Sequence, residues 1–301
     1  ESYFTNFFKT RDFSSNKGTF GHVMIIGGSK NMSGAVALSA LAAYKSGSGL
    51  VTLCVPKSIS NTLKNKLPEA IILDIPDSPD NQTMDENEFL RSLKDNVRKK
   101  PSALVIGPGL GNRKGLLKVI KDSLSFFDCP IIIDADGLNL ISKDLDILSK
   151  AKNRVIITPH PGEMSKLSKQ SIRLVQENRI KTSKKLSTKM KCISILKGFR
   201  TVISNPLGEI YINSSGNVGM ATGGMGDALT GIIASFIGQG YSTINSSILG
   251  VFVHGKAGDR IASKDSKRGI LATQVIKELP KLISSLEKEN NFAELTKINN
   301  E

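Results

Sequence analysis

His22–Gly28 reads HVMIIGG, Ser33–Gly47 reads SGAVALSALAAYKSG, and Leu50–Pro56 reads LVTLCVP. The first and third runs are apolar at successive rather than alternate positions, which predicts strands buried on both faces. The run between them is rich in small residues and predicts a helix ending at Gly47 or Gly49. Strand, helix and strand in this order predict an α/β fold with a largely parallel sheet and helices on both of its faces.

The alternation continues outward from that unit. A short helix is expected near 58–67, a strand over 70–76, a loop at Pro76–Met84 (PDSPDNQTM) and an amphipathic helix over 85–100. Strand 103–109, helix 115–127, strand 130–137 and a strand from Arg154 running into the loop TPHPGE follow. After a long polar helix over 171–190 the pattern changes. Residues 192–198, 200–205 and 209–216 are separated only by turns, which predicts neighbouring strands at one end of the sheet. Helices over about 227–237, 243–262 and 271–288 close the chain, and the polar tail 291–301 is expected to fray. No repeat and no Pro/Gly-rich linker interrupts the sequence, so one α/β domain spanning 1–301, with its core over about 17–288, is expected.

Composition narrows the function classes. The 301 residues carry 41 Lys+Arg against 27 Asp+Glu, a net charge of +14. The lysines are spread along helix faces, aromatics make up 5% and Trp is absent, which argues against a base-stacking nucleic-acid platform. A solvated Lys-rich surface with a general attraction for small anions is expected instead, with no nucleic-acid partner. No apolar run approaches the roughly 18 residues of a membrane span. The N-terminal ESYFTNFFKTRDF lacks the pattern of a secretory signal. Cys54, Cys129 and Cys192 lie in or beside apolar runs without ligand spacing. Together these features predict a reducing, cytoplasmic setting.

Open parallel sheets bind ligands beyond the carboxyl ends of their strands. The glycine-rich turns fall there: IIGGS, IGPGLGN, DADGLN, TPHPGE and LKGFRT. The sharpest segment is 216–240, GNVGMATGGMGDALTGIIASFIGQG, in which Gly223, Gly224 and Gly226 lead into an apolar helix with Asp227 in its first turn. Backbone N–H groups at such a helix start, with the helix dipole behind them, suit a phosphate or a phosphoryl group in transfer. Asp227 has two readings here: a base for a hydroxyl attacking that phosphoryl group, or a cap for the helix. His160, held between two prolines and followed by Glu163, reads as a ligand contact. His254, on an apolar helix face, reads as structural or peripheral, and His22 is undecided. No P-loop, Rossmann fingerprint, G-x-S-x-G elbow or H-E-x-x-H occurs, and three His exclude a His-rich metal site.

The segments KGTFGHVMIIGGSKNMSGA, VIGPGLG, DADGLN, TPHPGEM, LKGFRT and GGMGDALTG, in this order, resemble the ADP/ATP-dependent NAD(P)H-hydrate dehydratases. The resemblance implies a ribokinase-like three-layer fold. It implies repair of hydrated NAD(P)H by Mg²⁺-dependent phosphorylation of the ring hydroxyl, from ADP or ATP, and elimination of phosphate. Asp227 is then the base, and Gly223, Gly224 and Gly226 form the anion hole. Lys197, Gly198, Phe199, Arg200, Thr201 and Gly226 hold the adenine nucleotide. Ala35, Gly109 or Gly111, His160 and Asp227 face the hydrate, with Glu163 and Asn139 as candidate Mg²⁺ or water-network residues. The resemblance further implies ADP as donor, a homotetramer, and functional pairing with NAD(P)H-hydrate epimerase. Phe199 and Arg200 depart from the small residue usual at that place, and Met220, Ala221 and Thr222 depart ahead of the GG pair. Two rival readings remain: a ribokinase-like kinase of a vitamin-precursor alcohol, which TPHPGE argues against, and a non-catalytic nucleotide- or nucleic-acid-binding protein, which the intact GGMGD argues against.

Overall fold

The computed structural model describes residue 8 and residues 11–151, 154–289 and 295–298. The sheet contains β1 (His22–Ile26), β2 (Leu50–Pro56), β3 (Ile71–Ile75), β4 (Ala103–Ile106), β5 (Ile131–Ile133), β6 (Val155–Ile157), β7 (Ile193–Leu196), β8 (Val202–Ser204), β9 (Ile210–Asn213) and β10 (Leu295–Ile298). Its order is β10-β9-β8-β7-β6-β5-β4-β1-β2-β3. Strands β1 to β7 are mutually parallel, and β8, β9 and β10 add antiparallel pairings at one end. The chain moves one way from β1 through β2 to β3 and then crosses back to place β4 on the other side of β1. That reversal is a topological switch point, where the turns after β1 and β4 diverge and leave a crevice.

Successive residues of β1, β4, β5 and β6 feed opposite cores, as the unbroken apolar runs require. Val23 and Ile25 join the core under α1 (Ser33–Lys45), α2 (Lys57–Lys66), α9 (Met225–Gly238), α10 (Thr243–Lys264) and α11 (Ala272–Glu289). Met24 and Ile26 join the core under α3 (Phe89–Asn96), α4 (Leu117–Phe126), α5 (Asp136–Ile141), α6 (Pro161–Ser168), α7 (Ile172–Glu177) and α8 (Arg179–Met190). Cys54, Cys129 and Cys192 are free thiols whose pKa values burial pushes up, as expected of small apolar core residues. Among the described residues no helix is long and apolar enough to cross a membrane.

Small residues let α1 and α9 meet closely. A Cβ on Gly231 would lie 2.1 Å from the Ser39 carbonyl oxygen and 2.9 Å from the Ala42 Cβ. Gly231→Ala therefore forces two backbones apart, and we expect a loss of about 1–3 kcal/mol in urea unfolding, with the site shifted because both helices begin there.

The structure corrects four details of the sequence reading. The expected helix over 85–100 shortens to α3. The expected helix over 171–190 divides at Asn178, whose side-chain amide donates to the Leu174 carbonyl and competes with the helical ladder. TPHPGE is not an extended loop beyond His160, because α6 starts at Pro161. In the tail read as frayed, Leu295–Ile298 pairs antiparallel with β9, and 290–294 and 299–301 lie outside the described residues.

Candidate active site

The carboxyl edges of β4, β5, β6 and β7 converge with the first turns of α1 and α9. On α9, Gly224 is the N-cap and takes φ 86, the left-handed region, where a Cβ would also lie 2.5 Å from Leu38 Cδ1. The first helical hydrogen bond runs from Ala228 N to Gly224 O, so the N–H groups of Met225, Gly226 and Asp227 point out of the helix start. Gly223 has open space where a side chain would stand. These features leave free backbone N–H groups beside open space, an arrangement that an anion fits.

Asp227 does not cap this helix: among the described residues its carboxylate has no hydrogen-bond partner, and the helix has no side-chain cap. Its backbone carbonyl accepts from Ser39 Oγ at 2.9 Å, which fixes the turn against α1. Burial, then the negative charge of Asp134, push the Asp227 carboxyl up to about 7, against the pull of Lys197. A carboxyl without partners and with this pKa is poised to take a proton near neutral pH.

Facing it is a buried ion pair. Lys197 Nζ donates to Asp134 Oδ1 at 2.8 Å, and Thr230 Oγ1 donates to Asp134 Oδ2 at 2.8 Å. Asp134 is 1% exposed. Burial pushes its pKa up, but the charge of Lys197 and hydrogen bonds from Lys197, Thr158 and Thr230 outweigh it and keep the carboxylate ionised. A Cβ on Gly226 would stand 3.2 Å from Lys197 Nζ, so the ammonium lies directly across from the α9 start. Asp134 and Thr230 carry no role in the sequence reading, yet they aim Lys197. The available signal was an acid directly after the apolar run III.

His160 is the N-cap of α6. Its Nδ1 accepts from Gly162 N at 3.0 Å and Glu163 N at 3.3 Å, and Glu163 Oε2 accepts from His160 N at 2.7 Å. Burial, then Lys197, lower the His160 pKa and keep the ring neutral, so the ring proton sits on Nε2, 3.3 Å from Glu163 Oε1. Burial pushes Glu163 up to about 7 although Lys197, 3.9 Å away, pulls it down. Glu163 is thus engaged in the cap, and Asn139 accepts from Lys166 Nζ at 2.6 Å. Both side chains are engaged by partners within the chain, and among the described residues no group of three His, Cys, Asp or Glu could hold a metal.

Ala35 and Gly109 are brought together: a Cβ on Gly109 would lie 3.1 Å from Ala35 Cβ. Gly111 N donates to Asp136 Oδ2 at 2.9 Å, across the turn where Ala135 takes φ 50. Of the nucleotide segment, Thr201 Oγ1 donates to Gly198 O, and Phe199 and Arg200 project outward, with Phe199 86% exposed. Arg179 braces the segment from below through Leu196 O at 2.9 Å.

A family model described as NAD(P)H-hydrate dehydratase matches residues 23–281. The chain belongs to this family. It is 37% identical over 279 residues to a bifunctional NAD(P)H-hydrate repair enzyme of Moorella thermoacetica, covering 93% of this chain and 52% of that protein. It is 34% identical over 278 residues to an ADP-dependent (S)-NAD(P)H-hydrate dehydratase of Neisseria meningitidis, covering 90% of this chain and 88% of that one. The chain thus spans about half the length of the bifunctional relatives it matches and most of the Neisseria protein. The crystal structure of the ADP/ATP-dependent NAD(P)H-hydrate dehydratase of Bacillus subtilis, co-crystallised with ATP/Mg²⁺, superposes with a TM-score of 0.78 at 27% identity, covering 92% of this chain and 93% of that one. The ribokinase-like fold and the dehydratase family implied by the motifs therefore hold. Ser39, Asp134, Thr158 and Thr230 stand beside the residues that the motifs had pointed to.

Proposed function

We propose that this chain restores NAD(P)H from its hydrate with an adenine nucleotide as phosphoryl donor. The observation that carries the reading is the unpartnered, half-buried Asp227 carboxylate in the same turn as the outward N–H groups of α9, opposite Lys197. Asp227 takes the proton of the ring hydroxyl as the hydroxyl oxygen attacks the terminal phosphoryl group, whose bond to the rest of the nucleotide breaks with its electron pair on the departing nucleotide's phosphate oxygen. The N–H groups and Lys197 neutralise the charge on the phosphoryl oxygens during transfer, where positioning and charge matter more than base strength. The C–O bond then breaks with its electron pair on phosphate, and loss of a ring proton restores the ring double bond. His160 and the Ala35–Gly109 wall hold the nicotinamide, and Lys197 to Thr201 hold the nucleotide.

With no cage of protein ligands among the described residues, Mg²⁺ would be held chiefly through the nucleotide phosphates. It would supply charge neutralisation there, and Glu163, beside Lys197, would be the nearest carboxylate to it. We take ADP as the donor, in line with the Neisseria relative's name. A single catalytic domain, a homotetramer, a cytoplasmic setting and an epimerase partner complete the reading.

Product analysis separates this reading from an alcohol kinase. One inorganic phosphate is expected for each NADH formed, with no phosphorylated organic product at completion. A stable phosphorylated product without free phosphate would contradict it.

A further inference from the structure

The turns after β1 and β4 part at the switch point and leave an open crevice of about 270 Å³. The loop before α3 forms its far side and is pinned in place. Lys30 N donates to Gln82 O at 3.0 Å, Asp77 bridges Met84, and Arg113 Nε donates to Thr83 Oγ1 at 3.3 Å. The crevice lies against the wall that faces the nicotinamide. Met32 and Gly111 line it, and a Cβ on Gly109, which meets Ala35, would stand 2.5 Å from the Met32 carbonyl oxygen.

Among the described residues the lining is polar but offers no unpaired cation. Ser29, Asn31, Gln82 and Asn112 bring neutral groups that both donate and accept. Arg113 also lines the crevice, but Glu86, Thr83 and the Met84 carbonyl accept from its guanidinium. Lys30, on the turn after β1, stands outside the lining. Asp80 supplies a carboxylate. Its Oδ1 accepts from Ser78 Oγ at 2.5 Å and from Gln82 N at 3.1 Å, and these bonds hold its pKa below the usual carboxylate range. Asp80 and Glu86 together outweigh Arg113, so the crevice suits hydroxyls and the edge of a base and repels a phosphate.

The nicotinamide is only one end of a dinucleotide. A crevice just under the roughly 300 Å³ at which small-molecule pockets begin has room for a nucleoside but not for a whole dinucleotide. We propose that it takes the adenosine half of the hydrated dinucleotide, with Asp80 Oδ2 accepting from the ribose 2′-hydroxyl, so that the chain prefers NADH hydrate to NADPH hydrate. This rests on the reading of the chain as a dehydratase of these hydrates. A carboxylate on the 2′-hydroxyl selects NAD over NADP in other dinucleotide sites, because a 2′-phosphate there meets a like charge. The diphosphate lies at the open mouth, in water.

The test is steady-state kinetics of the full chain at saturating nucleotide and Mg²⁺. Three substrates are compared: NADH hydrate, NADPH hydrate and the hydrate of reduced nicotinamide mononucleotide, which lacks adenosine. kcat/KM is expected to be about tenfold higher for NADH hydrate than for either of the others, chiefly through KM. Asp80→Asn should bring NADPH hydrate within about threefold of NADH hydrate. Asn112→Asp, which adds a carboxylate to the same lining, should widen the gap by about another threefold. Equal kcat/KM for the two dinucleotide hydrates, or a preference for NADPH hydrate, overturns the proposal. So does a preference that neither variant moves, or a mononucleotide hydrate used as well as NADH hydrate. Should Asp80→Asn not fold, Asn112→Asp decides. Folded chain that turns over none of the three would instead overturn the dehydratase reading.

Discussion

Asp227→Asn is expected to lower turnover of NADH hydrate by about 10²–10⁴-fold with the fold intact. The amide fills the same space but cannot take the hydroxyl proton. Because the Asp227 carboxyl titrates at about 7, activity of the unaltered chain should rise with pH through that value and level off above it. Stability should move the other way. A carboxyl whose pKa is raised on folding stabilises the fold fully below its unfolded value near 3.8, and that contribution is lost as pH rises through about 7. Asp227→Asn does not ionise, so it should lose less stability than the unaltered chain between pH 4 and pH 8 in urea titrations. A variant that is inactive yet more stable at pH 8 is the signature of a carboxylate kept for chemistry. A variant that is inactive and equally destabilised at both pH values would point to a structural role.

Lys197→Met should be the most damaging change elsewhere in the cleft. It leaves Asp134, 1% exposed, without its cation, and removing one partner of a buried pair typically costs about 3–5 kcal/mol. On the proposed reading it also removes a charged donor to the nucleotide phosphates, which should raise the nucleotide KM by about 10–100-fold. Adding Asp134→Asn separates the two effects. The double variant should regain much of the stability, because no uncompensated charge remains, but none of the nucleotide affinity. Recovery of affinity together with stability would mean that Lys197 acts only as a structural partner of Asp134.

What the sequence made legible followed from local physics. Unbroken apolar runs such as HVMII and ALVI are buried on both faces, so the parallel sheet was readable without any long-range information. The turn before α9 was readable because Gly224 needs a left-handed backbone and Asp227 follows within one turn. The Asp134–Lys197 pair was not, because its members lie 63 residues apart and meet only through the adjacency of β5, β6 and β7. His160 was singled out as a ligand contact, but its capping role was missed. The clues were Pro161 at the first helical position and Glu163 at the third, the pattern of a capping box with imidazole in place of a hydroxyl.

The measurement that bears most directly on the central claim is the near-ultraviolet absorbance of NADH, followed in a mixture of the protein, NADH hydrate, Mg²⁺ and either ADP or ATP. Recovery of the NADH signal that depends on the nucleotide and is lost in Asp227→Asn is the predicted result, and the nucleotide that supports it identifies the donor. Folded protein that gives no recovery with either nucleotide would contradict the account.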